Sequence, residues 1–490
     1  MHFLGIELFL DDEMIAYTRG MRRQIRPPQK HAGNPILTED YPWENCHLAI
    51  YGSVLPDEQR GVLRMWYNAF ADPYFENQMM AYAESQDGIQ WTKPMMEHVT
   101  WPGHEKTNLV MGPDPNLHGP CVIRNPDQSD PQKRFLLLFD SYPKYHAEAA
   151  AMGLKDRACY AAESPDGFRW SPAKGRFAFE GKADSGQCVI WEPRVQKFRA
   201  YARLTAQDTF GQRIRIFRLV ESPDFVHWDP PSELFRPDAE DGWPDTQLQQ
   251  LAVTRFDGLY VGLLGLFRVA QYLEKRAGAS PPASMRTGIG PVDEGNQLDD
   301  YQLVTSRDGV NFSRVADRAL FLPKSEPPKW GNGGQRMASH MVIHRDQVLI
   351  YYASRAQNHE GNPAEQMDIG LATFPRDRFV AFVPARLREE GMIELVPLIY
   401  GDEALRLNAT MLADGCVRAE LADFVGATIP GFEADRAVPI TESGLDQIIQ
   451  WKNGAGAVTH AALGQKWKGK PVRLRLWVRH AHVHALRGGA

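Results

Sequence analysis

Glu84-Ser85-Gln86-Asp87-Gly88-Ile89-Gln90-Trp91 is the first of four close copies of one phrase. The others are Glu163-Ser164-Pro165-Asp166-Gly167-Phe168-Arg169-Trp170, Glu221-Ser222-Pro223-Asp224-Phe225-Val226-His227-Trp228 and Thr305-Ser306-Arg307-Asp308-Gly309-Val310-Asn311-Phe312. A worn fifth copy, Thr373-Phe374-Pro375-Arg376-Asp377-Arg378-Phe379, closes the series. Successive aspartates lie 79, 58, 84 and 69 residues apart, so the unit is large and tolerates loop insertions. A strand-rich unit of this size predicts a radial array of small sheets rather than one continuous core.

The phrase has a local physical logic. Ser and Asp side chains accept hydrogen bonds from backbone N–H groups just ahead and close a tight turn. Gly supplies the positive φ such a turn needs. The Trp or Phe that follows begins the next strand and packs a large ring between neighbouring sheets. An apolar stretch precedes each copy, such as Met79-Met80-Ala81-Tyr82-Ala83. The phrase therefore reads as the hairpin between the two outer strands of a propeller blade. Its aspartates (87, 166, 224, 308 and 377) are structural on this reading.

Paired apolar strands come before each copy, among them Cys46–Gly52 with Val62–Tyr67 and Cys188–Trp191 with Phe198–Arg203. Two strands, then strand, turn and strand, make a four-stranded blade, and five such groups make five blades. The expected architecture is all-β, a five-bladed propeller over residues 1–385 that includes N-terminal lead-in strands. Residues 271–300 interrupt blade IV as a long polar insertion, a lid, rim element or surface loop. Beyond residue 386 the phrase stops. Val472, Leu474, Leu476 and Val478 alternate with Arg473, Arg475 and Trp477, the period of a half-buried strand, so residues 386–490 are expected to form a β-sandwich.

Composition narrows the partners. A net charge of −6 gives no electrostatic footprint for nucleic acid, and no apolar run reaches the length of a membrane span. The five cysteines are scattered and odd in number, which argues against a disulfide framework or zinc knuckle and favours a reducing compartment. The first twelve residues lack a basic segment followed by a small-residue cleavage site. The expected location is cytoplasmic as the sequence stands, or periplasmic or secreted if a leader is removed. His480, His482 and His484 share one strand face, an arrangement that can bind metal but reads as a solvated terminal strand.

A five-fold strand array with this turn phrase and an appended sandwich resembles the five-bladed propeller glycoside hydrolases. Families 32, 43 and 68 are the familiar examples, and the appended region looks most like family 32. Trp43-Glu44-Asn45, Asp184-Ser185-Gly186-Gln187 and Pro430-Gly431-Phe432 are similar to phrases of uncharacterised bacterial glycosyl hydrolases. The chain departs from family 32 in lacking Asn-Asp-Pro-Asn-Gly, Arg-Asp-Pro and Glu-Cys-Pro at the expected blade positions. The resemblance implies a glycosidase acting on an oligosaccharide or polysaccharide fragment, with a direct, metal-free mechanism and no cofactor. Fold alone does not fix function.

In such propellers the leading residues of the innermost strands rim an axial funnel. Those positions are Asp40, Trp43, Glu44 and Asn45 in blade I, His118 in blade II, Asp184 and Gln187 in blade III, Trp243, Asp245 and Gln247 in blade IV, and Arg336 and His340 in blade V. Second strands add Asp140, Arg203, Arg355 and, just beyond, His359. Glycoside hydrolysis needs one carboxylic acid to protonate the leaving oxygen and one carboxylate to activate water or attack carbon. Glu44 and Asp184 are the expected pair, with Asp245 as acid or modulator; each can alternatively cap its own turn. Arg336, His340, Arg355 and His359 suit an anionic group or neutral sugar hydroxyls. A glycoside phosphorylase or transferase using that Arg/His cluster, and a non-catalytic carbohydrate-binding propeller, are the competing readings.

Overall fold

The structure is a computed structural model. It describes residues 5–72, 76–181, 183–184, 187–207, 213–241, 246–268, 299–325, 330–331, 333–355, 367–386, 389–399, 403–454, 456–463, 466–467 and 469–488. Five antiparallel sheets follow one another along the chain, and each is one blade. Blade I is His47–Asp57, Val62–Phe70, Gln78–Ser85 and Leu109–Met111. Blade II is His118–Arg124, Phe135–Ser141, Ala158–Ser164 and Ser171–Glu180. Blade III is Cys188–Glu192, Lys197–Gln207, Arg213–Ser222 and Ser232–Phe235. Blade IV is Thr246–Phe256, Leu259–Arg268 and Asp299–Ser306, with Ser313–Arg314 and Leu320–Leu322 sharing the outer edge. The insertion expected in blade IV lies almost wholly outside the described residues.

Blade V is assembled differently. Its inner strand is split into Arg336–Met337 and Val342–His344, followed by Gln347–Ser354 and Asp368–Pro375. The outermost strand is Gln29–Lys30 from the N-terminal lead-in, which pairs with Asp368–Pro375 and closes the ring. The fifth phrase is therefore no hairpin between outer strands, because the chain leaves the propeller there. Asp377 binds Arg487 at 2.6 Å, and Phe379 is buried against Phe256 and Phe374.

The four intact phrases do what their residues predict. Ser85 Oγ accepts the Gly88 N–H at 2.8 Å, and Asp87 Oδ1 accepts those of Ile89 and Gln90 at 2.8 Å. The same bonds form at Ser164 with Asp166, Ser222 with Asp224 and Ser306 with Asp308. Gly88, Gly167 and Gly309 have φ of +79°, +82° and +73°, and Phe225 takes +64° at the same place. Each phrase also ties its blade to the preceding one. Tyr351, Trp66 and Tyr201 donate to the carbonyls of Gly88, Gly167 and Gly309 at 2.9, 2.7 and 2.9 Å. Trp91, Trp228 and Phe312 pack edge-on against Tyr351, Phe179 and Tyr201 of those neighbours.

A second belt runs around the axis. Ser53 Oγ accepts the Val122 N–H at 2.9 Å, Cys121 Sγ that of Val189 at 3.3 Å, and Cys188 Sγ that of Val253 at 3.4 Å. Thr254 Oγ1 accepts the Met341 N–H at 2.8 Å, and Ser339 N–H donates to Gly52 O at 2.8 Å. Every blade junction thus carries at least one such link, where ladder partners are missing and buried N–H groups need acceptors. Burial pushes the Cys121 and Cys188 thiols above their ordinary range, so they stay protonated at neutral pH.

The C-terminal sheet region has eight strands. Arg406–Ala422 and Arg473–Gly488 pair along most of their length. Gly391–Leu395, Val380–Pro384, Gly444–Ile448 and three N-terminal strands, Gly5–Glu7, Ile15–Arg19 and Met21–Ile25, complete it. This sheet shares one hydrophobic core with blades IV and V through Phe256, Phe374, Phe379 and Leu407. It docks near the hairpin of Asp257, where Arg487 lies 3.3 Å from that carboxylate. That is the face opposite the leading ends of the inner strands, so the axial mouth stays clear of it.

Candidate active site

The inner strand of blade I bulges between Ala49 and Ser53. Gly52 sits in the bulge, where a Cβ would lie 1.8 Å from Trp66 O, so no other residue fits. The bulge sets Tyr51 toward the axis. Its ring lies 4.8 Å from that of His118, and its hydroxyl is hydrogen-bonded to Arg336.

Asp184 stands at the centre of the cluster. It precedes the inner strand of blade III in a left-handed conformation, φ +51°, which Asp tolerates better than most residues. Its N–H donates to Asp140 Oδ2 at 3.0 Å. Arg203 Nη2 binds Asp184 Oδ2, His118 Nε2 lies 3.1 Å from Oδ1, and Arg157 Nη1 lies 3.6 Å from Oδ1. The carboxylate remains 26% exposed, whereas Asp140, paired with Arg157 Nε, is fully buried. Burial alone would raise the Asp184 pKa; Arg203, His118 and Arg157 overcome it and hold the carboxyl well below the ordinary range. Asp184 is an anion at any pH near neutrality, suited to activating water, attacking carbon or facing a developing cation, and unsuited to donating a proton.

The surroundings are polar amides and arginines on apolar strands. Arg203 Nη1 donates to Gln249 Oε1 at 2.8 Å, and Arg215 reaches the same oxygen. Gln187 Nε2 donates to Gly119 O, and a Cβ on Gly119 would lie 2.9 Å from Asp184 O. His118 contacts Gln78 through Nδ1, and burial draws its pKa down to about 4 against the pull of Asp184, so its imidazole is neutral. Arg355 is buried near His47, whose pKa falls to about 4 through burial and that charge. Gln247 is half-buried at the leading end of its strand. His340 reaches across the axis from blade V, its Nε2 2.7 Å from Val189 O of blade III, and its pKa is lowered to about 4 by burial. It plugs the axis at the level of the inter-blade belt rather than standing at the rim.

The expected blade I contribution is corrected. Glu44 lies in the short 3-10 turn Pro42–Glu44, which folds its side chain back against Tyr67 of blade I. It is fully buried, with Lys93 Nζ at 2.8 Å, the Tyr67 hydroxyl at 2.5 Å and the Asp40 N–H at 3.0 Å. A carboxylate so engaged and closed to solvent cannot meet substrate. Trp43 is likewise buried and donates to Asn108 Oδ1 at 2.8 Å. Asp40 is exposed and pairs with Lys93 at 2.7 Å, and Asn45 is exposed beside it. None of these four joins the cluster around Asp184. Trp243, Asp245 and His359 lie outside the described residues. Sequence reasoning missed Tyr51, Arg157, Arg215 and Gln78; a Gly inside an apolar strand was the one available signal, for the bulge beside Tyr51. Among the described residues, no group of three or more His, Cys, Asp or Glu side chains is placed to hold a metal ion.

No family model matches this chain, and no curated protein matches it. Solved structures that resemble it include one described as showing that the GH130 family of mannoside phosphorylases contains glycoside hydrolases that target beta-1,2 mannosidic linkages in Candida mannan. It is 15% identical, covers 72% of this chain and 95% of its own, and has a TM-score of 0.43. A thermostable family-43 glycoside hydrolase is 10% identical over 71% of this chain and 94% of its own, with a TM-score of 0.44. A fructofuranosidase from Schwanniomyces occidentalis, complexed with fructosylnystose, is 9% identical over 95% of this chain and 98% of its own, with a TM-score of 0.40. The likeness is one of fold.

Proposed function

We propose that the protein is a carbohydrate-active enzyme that cleaves a glycosidic bond at the axial mouth of the propeller. One observation supports this above the others: Asp184 presents a partly exposed carboxylate, fixed as an anion by Arg203, His118 and Arg157, in a setting of amides and an aromatic ring. Amides and guanidinium groups suit the hydroxyls of a sugar, and a fixed anion suits the positive charge that develops at its anomeric carbon. On this reading Asp184 is the base, nucleophile or electrostatic partner. The proton donor is a second carboxyl group, and Asp245 is its candidate from sequence position, one residue before the inner strand of blade IV. Arg157 and Arg203 position Asp184 and keep it ionised.

The test is a panel of aryl glycosides and neutral and acidic oligosaccharides, assayed for new reducing ends or released aryl group, with and without inorganic phosphate. Turnover in phosphate-free buffer supports hydrolysis; turnover only with phosphate, yielding a sugar 1-phosphate, assigns phosphorolysis to the same site. Saccharide binding without turnover under either condition refutes the enzymatic reading and leaves a binding propeller.

A further inference from the structure

Between blades II and III, beside the axial mouth, lies a cavity of about 540 Å³ whose wall includes Leu154, Lys155, Arg157, Gly181, Leu204 and Arg218. Arg157 belongs to both places. Its Nε grips Asp140, its Nη1 approaches Asp184 to 3.6 Å, and its guanidinium packs over the Tyr142 ring at 4.9 Å. Its third nitrogen, Nη2, is buried and has no hydrogen-bond partner among the described residues, on a side chain only 6% exposed. Arg218 Nε, on the wall of the same cavity, is likewise buried without a hydrogen-bond partner among the described residues, on a half-buried side chain whose charge also acts on Glu233.

Buried guanidinium N–H groups without acceptors are rare, because desolvation is then uncompensated. Two in one wall, with Lys155 beside them, make a place where an anion recovers what the protein leaves unmade. The two acids of the wall do not supply that partner. Asp156 Oδ1 accepts the backbone N–H of Arg157 at 2.9 Å, and Glu180 ends its strand exposed.

We propose that this cavity is a subsite for the acidic group of a saccharide, a carboxylate or a sulfate ester, whose adjoining sugar occupies the axial mouth. The inference rests on the carbohydrate reading above and names its substrate class. Arg157 couples the two places physically, since one guanidinium orients Asp184 on one side and faces the acidic substituent on the other.

Calorimetric titration of the full-length protein with matched pairs tests it: di- to tetrasaccharides of uronic acids, the same saccharides with their carboxyl groups reduced, and O-sulfated counterparts. The uronides are expected to bind roughly 10- to 100-fold tighter than their reduced partners, the range of one or two charge-assisted hydrogen bonds. Arg218→Met and, separately, Lys155→Met are expected to shrink that ratio. Sulfated saccharides bound with the same sensitivity to Arg218→Met make charge the recognised feature; uronides bound alone make it the planar carboxylate. Equal binding of acidic and reduced saccharides, or a ratio unchanged in both variants, overturns the cavity assignment and leaves the carbohydrate reading standing. Binding of no saccharide in the panel overturns both.

Discussion

Replacing Gly167 by Ala separates the structural role of the repeated phrase from any catalytic one. Gly167 has φ +82°, a region where an L side chain costs about 1–2 kcal/mol. The added Cβ would stand 2.6 Å from Trp66 Cζ2 and 2.9 Å from Arg64 Nη2. Trp66 is fully buried, so relief requires moving a packed ring, and overpacking of this kind costs about 1–3 kcal/mol. A shifted Trp66 also loses its 2.7 Å bond to Gly167 O, worth about 1 kcal/mol. The expected loss is ~3–6 kcal/mol in urea unfolding, with turnover per folded molecule unchanged. Asp166→Ala removes acceptors for the Phe168 and Arg169 N–H groups, which lie where water can replace them, so its expected cost is only ~0.5–1 kcal/mol. A Gly167→Ala variant as stable as the parent, or an Asp166→Ala variant that folds but loses turnover, would refute the assignment.

Four further outcomes follow from the same packing. Cys121→Val strands the buried Val189 N–H and is expected to cost ~1–3 kcal/mol, whereas Cys121→Ser, which keeps an acceptor, costs less; chemical denaturation distinguishes them. Lys93→Met leaves Glu44 buried without its cation and is expected to lose ~3–5 kcal/mol of stability without altering turnover per folded molecule. Burial, reinforced by Glu39, raises the Asp368 carboxyl to about 7. The folded state therefore holds that proton where the unfolded chain, titrating near ~3.9, has released it, so stability falls as pH rises from about 4 to about 7. Asp368→Asn should remove that slope and stabilise the protein at pH 8 by on the order of 1–3 kcal/mol, read from pH-dependent unfolding. Asp184 has the opposite sign: its contribution is present above the ordinary carboxylate value and lost as pH falls through its depressed folded value, so the parent should lose more stability than Asp184→Asn in strong acid.

The blades were legible because their signal is local. Ser, Asp, Gly and an aromatic ring within eight residues specify a turn whatever lies beyond it, and four of five copies form it. The ring closure was not, because Gln29–Lys30 is a two-residue strand with no periodicity and joins the last blade only through tertiary pairing. The belt of Ser53, Cys121, Cys188, Thr254 and Ser339 was hidden for a similar reason, since small polar residues inside apolar strands acquire meaning only once the axis is known. At the site, Asp184, His118 and Gln187 were reachable by counting back from each phrase to an inner strand, and Arg203 by counting to the strand after it. Glu44 was misplaced by the same counting: Pro42 starts a 3-10 turn that redirects the side chain onto Tyr67 and Lys93. Arg157 escaped because it leads a third strand, not an inner one, and reaches the cluster by the length of its side chain.

In the proposed function the anion of Asp184 at the axial mouth does chemistry on a saccharide. The direct measurement is kcat for Asp184→Asn on whichever glycoside the panel yields, with folding verified by circular dichroism and saccharide binding by calorimetry. A loss of about 10²- to 10⁴-fold in kcat, with the saccharide still bound, is expected. A folded Asp184→Asn protein that turns over at the parent rate rules out a catalytic role for Asp184.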